Sequence, residues 1–184
     1  MSSEMLRQKT ARTLLIVALF GSLFSFFAST GLSQTRHRLQ PPATMLKDLD
    51  DEDRTCVVNE GGINKHVRVR LFDITPRTVG EILIRGRSSC LCGAQNCGFW
   101  IYQKAAGKYQ LLLKGIGSTK VALGRSYSQG YRDVVAESHA SAIETIIRTY
   151  RFDGQQYRLM RCVSRNYFDE NGNQIRKPRY RPCD

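Results

Sequence analysis

The chain has 184 residues, with 28 Lys and Arg against 16 Asp and Glu, a net charge of +12, and 41% hydrophobic residues. Once an N-terminal export segment is set aside, about 150 residues remain, enough for one domain with its own apolar core. That length excludes a miniature scaffold held by cysteines alone, so any disulfides are additions to a fold and not substitutes for one.

Arg7, Lys9 and Arg12 stand against a single acid, Glu4, in the first twelve residues, and Thr13 to Thr35 is uncharged and rich in Leu, Ile, Val, Phe and Ala. A basic start, an apolar run from Leu14 to Phe27 and then Ala28, Ser29, Thr30, Gly31 and Ser33 is the layout of a secretory signal. The other reading is an uncleaved anchor, because about 20 apolar residues span a bilayer; Gly21, Ser22 and Ser25 dilute the run and favour cleavage. Residues 1–33 are thus expected to be a signal peptide or an uncleaved anchor, with membrane contact confined to residues 13–33 if retained. Both readings place the remainder outside the cytoplasm, in the periplasm or secreted. That remainder keeps 25 basic against 15 acidic residues, a net +10.

Residues 34–55 contain Pro41-Pro42 and the acids Asp48, Asp50, Asp51, Glu52 and Asp53, and read as a flexible acidic leader. The acids lack the glycine turn of an EF-hand loop, so a solvated charge run is expected there, not a calcium site. Residues 56–165 read as a β domain: Val67, Val69 and Leu71 alternate with Arg68, Arg70 and Phe72, and a turn at Pro76 leads to Glu81–Arg85. Phe99–Gln103 and Tyr109–Lys114 flank Ala105-Ala-Gly-Lys108 as a hairpin, and Lys120–Leu123 and Tyr131–Ala136 follow. The clearest signal is Glu144–Phe152 and Gln155–Val163 around Asp153-Gly154, a pair suited to the positive φ angles of a two-residue turn. Single helical turns are expected at Thr78–Leu83 and Ser138–Glu144, and an irregular tail pinned by Cys183 over residues 166–184. The fold class is therefore mainly β, an antiparallel sheet, barrel or small sandwich with at most short helical turns.

Cys56, Cys90, Cys92, Cys97, Cys162 and Cys183 all follow the export segment, and an even number outside the cytoplasm points to disulfides. Six cysteines allow 15 connectivities. Loop length favours Cys90 or Cys92 with Cys97, and Cys162 with Cys183, leaving Cys56 for whichever remains. A zinc site from Cys90, Cys92 and Cys97 with His66 or Cys56 lacks the paired spacing of zinc ribbons, so no metal and no cofactor are expected.

Catalytic signatures are missing from the sequence: it has no Gly-x-Ser-x-Gly elbow, His-Glu-x-x-His pair, P-loop or dinucleotide fingerprint. Ser138 and His139 are neighbours on one strand and face opposite ways. Asp133, Glu137 and Glu144 are the carboxylates from which a hydrolase would be built. Basic residues thicken toward the end, and Arg148, Arg151, Arg158, Arg161, Arg176, Lys177, Arg179 and Arg181 are the candidate polyanion contacts, weighed against ordinary solubilising charge.

Three motifs carry a resemblance: Cys92-Gly-Ala-Gln-Asn-Cys97 before Phe99-Trp100, Gly130-Tyr-Arg-Asp133, and the hairpin Tyr150-Arg-Phe-Asp-Gly-Gln-Gln-Tyr157. Over Cys92–Tyr157 the chain resembles an uncharacterised class of small exported bacterial cysteine-containing β domains, and the last two motifs look like half a blade of an FG-GAP propeller without its aspartate-rich calcium loop. The resemblance implies β structure and an extracytoplasmic location, and brings no activity. The leading expectation is an exported non-enzymatic binding or structural module, with an envelope protein or anionic glycan as partner. The alternatives are an inhibitor of a secreted enzyme such as a lysozyme, presenting the Cys90–Cys97 loop, and a hydrolase with an unrecognised site.

Overall fold

A computed structural model of the protein describes residues 39–76, 80–169 and 171–183. The expected export segment, His37, Thr78 and Val79 lie outside the described residues, and the rest of the helical turn expected at Thr78–Leu83 is not helical, since Ile82 and Leu83 lie in a strand. Nine strands make two antiparallel sheets. In the first, β1 (Val67–Leu71), β2 (Ile82–Gly86), β3 (Cys97–Ala105) and β4 (Lys108–Ser118) lie side by side in chain order. In the second, so do β5 (Lys120–Ser128), β6 (Tyr131–His139), β7 (Glu144–Phe152), β8 (Tyr157–Phe168) and β9 (Gln174–Pro182). The fold is mainly β, as the alternating sequence predicts.

Alternation gives the first sheet two different faces. Val67, Ile82, Ile84, Trp100 and Tyr102 point outward, where Met45, Leu49 and Val57 cover them. Leu83, Phe99, Ile101 and Leu113 point inward and pack on Val121, Val134, Ala136, Tyr150, Phe152 and Tyr157 of the second sheet. Burying each such aliphatic or aromatic side chain contributes about 1.5–3 kcal/mol. Phe99 lies directly opposite Gly115, and a Cβ there would fall inside the Phe99 ring, so only glycine lets β4 pass over it.

Four further expectations are corrected. The acidic segment is no flexible leader: Ala43–Asp48 is a 3-10 helix and Asp51–Asn59 an α-helix (α1), followed by the short α2 (Ile63–His66). Few as they are, its apolar residues Met45, Leu49 and Val57 are spaced to plug the outer face of the sheet, and Cys56 bonds to Cys90. The acids are engaged too. Asp48 Oδ2 accepts from the Tyr102 hydroxyl at 2.6 Å, Asp50 pairs with Lys114 at 2.7 Å and Asp51 with Arg54 at 3.1 Å. The tail is not irregular either, since β8 runs to Phe168 and β9 pairs with it through Arg181 opposite Ser164 and Tyr180 opposite Arg165. Ser138–Glu144 is not helical; Ser138 and His139 end β6 and Glu144 begins β7.

The fourth correction is the Asp153-Gly154 turn. Phe152 pairs with Tyr157, so the loop holds the four residues 153–156. Asp153 Oδ1 accepts from the amides of Gln155 and Gln156, both at 2.9 Å, and this side-chain cap favours the longer loop. Two-residue turns occur instead at Ala106-Gly107 (φ 49° and 80°) and Gln129-Gly130 (φ 51° and 82°).

All six cysteines are paired, as Cys56–Cys90, Cys92–Cys97 and Cys162–Cys183. The sulfurs that a zinc site would need are consumed in these bonds. Three disulfides fit an extracytoplasmic location.

Candidate functional site

The inner face of the first sheet changes character along the strands. In register, one row reads Arg68, Arg85, Phe99, Gly115 and the next Arg70, Leu83, Ile101, Leu113. Arginines therefore occupy the β1–β2 corner of a face that is otherwise the core. Opposite them run Lys120, Val121, Ala122 and Leu123 of β5. β1 and β5 are both edge strands, so the sheets meet at this seam without pairing, and a cleft of about 1160 Å³ opens between them.

Six cations line the cleft: Arg68, Arg70, Arg85, Arg87, Lys120 and Arg132. The only carboxylate among the lining residues is Asp73, and none of them is a histidine. Lys120 has Glu137 at 3.7 Å, but the five arginines make no ion pair among the described residues. Four of the five guanidinium groups, all but that of Arg68, are held by backbone carbonyls. Arg85 Nη2 donates to Ser118 O at 3.0 Å and Thr119 O at 2.8 Å, and Arg70 Nη2 donates to Val121 O at 3.1 Å across the seam. Arg132 donates twice to Gly124 O, at 3.0 and 2.8 Å, and Arg87 to Lys65 O and Asn64 O. Carbonyls orient an arginine without neutralising it, and each guanidinium has five N–H groups, so donors and charge are left over.

Arg68 sits directly opposite Arg85, and like charges in that position destabilise a sheet. Burial first, then repulsion from Arg70 and Arg68, pulls the Arg85 guanidinium below the usual arginine range. Arg85 Nε is also buried with no hydrogen-bond partner. An anion bound in the cleft would offset the repulsion among these like charges.

The candidate polyanion contacts read from the C-terminal strands are divided over two faces. Arg148 donates to Ser138 Oγ at 2.7 Å on the core side, where Arg181 also lies opposite Ser164. Arg151 faces the other way and pairs with Asp133 at 3.4 Å, and Arg158 pairs with Asp153 at 3.0 Å. Arg161 is exposed, as are Arg176, Lys177 and Arg179 on β9. These eight do not converge on one cavity. The hydrolase carboxylates are likewise apart in function: Asp133 is with Arg151, Glu137 with Lys120 and Arg165, and Glu144 accepts from Ser164. His66 is buried and hydrogen-bonded to Ser88, and the main chain of His139 is clasped by Asn96.

Sequence alone does not mark the cleft arginines, because Arg68 and Arg70 only alternate with Val67, Val69 and Leu71 as polar residues of a half-buried strand do. Arg85, two residues after Leu83 and so on its face of an Ile-Leu-Ile-Arg run, is the available signal. The resembling motifs sit elsewhere, with Cys92–Cys97 at the entry to β3, Gly130–Asp133 at the start of β6 and Tyr150–Tyr157 in the β7–β8 hairpin. No family model, curated protein or solved structure matches the chain.

Proposed function

We propose that this chain is an exported, non-enzymatic binding module that holds an anionic ligand in the cleft between β1 and β5. The observation that carries the reading is the facing pair Arg68 and Arg85, with Arg70 beside them and no carboxylate of the described residues in ion-pair reach. A lining with a single carboxylate and no histidine supports binding over hydrolysis, since general acid and base work needs such groups close together. Disulfides and the signal-like N-terminus support action in the periplasm or outside the cell.

Heparin, a generic polyanion, tests the proposal with the purified full chain. The double variant Arg68→Glu/Lys120→Glu, whose side chains carry no fold-holding carbonyl contact, should elute at clearly lower salt, with a salt slope reduced by about 2. Arg176→Glu/Lys177→Glu on β9 should elute close to the wild type. The reverse ranking would move the anion site to the C-terminal strands.

A second reading, inhibition of a secreted enzyme such as a lysozyme, is favoured by one feature. The Cys92–Cys97 loop is clamped by its disulfide and by two hydrogen bonds between Asn96 and His139 at 2.8 and 3.0 Å, leaving Gly93, Ala94 and Gln95 exposed at its tip. Preorganised loops suit inhibitors. Undiminished lysozyme activity under excess protein would remove that enzyme as the target.

A further inference from the structure

The wall of the cleft formed by β1 is a sheet edge, and the register shows which of its backbone groups face outward. Arg87 N donates to His66 O and Phe72 N to Glu81 O, so residues of even number on β1 are the ones bonded to β2. In an antiparallel ladder the bonded residues alternate, which turns the amides and carbonyls of Val69 and Leu71 toward the open side. These groups have no partner among the described residues. Between them, Arg68 and Arg70 project from the same strand onto the cleft face, and Leu71 is 56% exposed.

We infer that the ligand is an extended acidic peptide that adds as a strand to the open edge of β1, its alternate carboxylates facing Arg68, Arg70 and Arg85. This rests on the reading of the cleft as an anion site and names its occupant. Alternate side chains of a strand are about 6.8 Å apart, the repeat that also separates Arg68 from Arg70, so a peptide with an acid at every second residue keeps charge and backbone in register together. Inward-pointing charge on an edge strand is a usual deterrent to pairing. Here it deters every strand but one class, because for an acidic strand the same arginines attract. A bound glycan has no backbone whose amides and carbonyls repeat in register with those of Val69 and Leu71; an added strand matches both that repeat and the charges.

The test uses the full chain, a fluorescein-labelled peptide alternating threonine and glutamate, and heparin hexasaccharide as a second probe. Two N-methylated peptides are compared, one blocked at every threonine and one at every glutamate. Only one alternate set of peptide amides can point at β1, so one of the two should bind about tenfold or more weakly while the other stays within about twofold of the parent. In the protein, Val69→Pro removes an outward amide without touching a bond to β2, and an edge strand tolerates it. It should weaken the peptide by about tenfold and leave heparin retention within about twofold. Equal binding of the two N-methylated peptides overturns strand addition and leaves the anion cleft standing. So does binding of the hexasaccharide without the peptide, which makes the ligand a glycan. Failure of both probes overturns the cleft itself.

Discussion

Two groups of arginines in this protein have opposite surroundings. On the second sheet Arg151, Arg158 and Arg165 each reach a carboxylate, Asp133, Asp153 and Glu137, at 3.4, 3.0 and 3.0 Å. On the first sheet Arg70 and Arg85 reach backbone carbonyls, Arg70 also lies over the Phe72 ring at 5.3 Å, and Arg68 faces Arg85; none of the three reaches a described carboxylate. The second group keeps positive charge that no described carboxylate neutralises, although the first lies in the more basic stretch of the chain. Cross-strand register, not local density of Lys and Arg, decides where a basic protein presents a field to a ligand.

The comparison breaks first, and with the largest effect, on the tether of β9. Replacing Cys162 and Cys183 by serine removes a cross-link over a separation of 21 residues, and the chain-entropy model sets the loss near 3 kcal/mol. Urea unfolding should register it, while heparin retention at the cleft holds; a joint loss would show that the two basic regions are one site. Next comes Asp133→Ala. Asp133 is buried, but Arg151 is 45% exposed and regains water, so the expected cost is about 1 kcal/mol with no change in anion binding. Arg68→Gln should act in the opposite direction on stability and, unlike Asp133→Ala, weaken anion binding. Removing one of two facing like charges raises the free energy of unfolding by about a few tenths of a kcal/mol, and the polyanion elutes at lower salt. A variant that loses stability and keeps its affinity would mean that Arg68 is structural.

Period-2 alternation made every strand core from β1 to β8 legible, because a two-sided sheet has to alternate. Three apolar residues without a helical stripe, Met45, Leu49 and Val57, were too few to announce that the acidic segment folds, since their burial depends on Trp100 and Tyr102 about fifty residues away. The tail was hidden for a related reason: β9 is polar on both faces and is a strand because β8 offers it an edge and Cys162 a bond. Turn chemistry misled in one place, where Asp153 capped its own loop, and Ala106-Gly107 and Gln129-Gly130 show that the glycine was the informative half of the signal. The cleft was the least legible feature. Arg68, Arg70 and Arg85 are ordinary in sequence, and only the pairing of β1 with β2 sets two of them face to face.

The smallest expected effect separates the two groups by pH. Asp153 is exposed, yet the amides of Gln156 and Gln155 and the Arg158 side chain stabilise its carboxylate and hold its pKa at about 2, below the ordinary 3.8. A carboxyl depressed on folding stabilises the native state above its unfolded value, and that contribution is lost as pH falls from 3.8 through about 2. Asp153→Asn keeps an oxygen for the loop amides but no charge for Arg158. The gap in unfolding midpoint between wild type and variant should therefore be constant near neutrality, narrow below pH 3.8 and close near pH 2. A gap that persists at the acid end would assign the loop to neutral hydrogen bonding alone. Heparin stays charged through this range and the cleft cations do not lose protons on acidification, so its retention should not follow that curve. If it does, the carboxylate partners of the second sheet are tuning the cleft, and the two groups are coupled through the seam where Arg70 meets Val121.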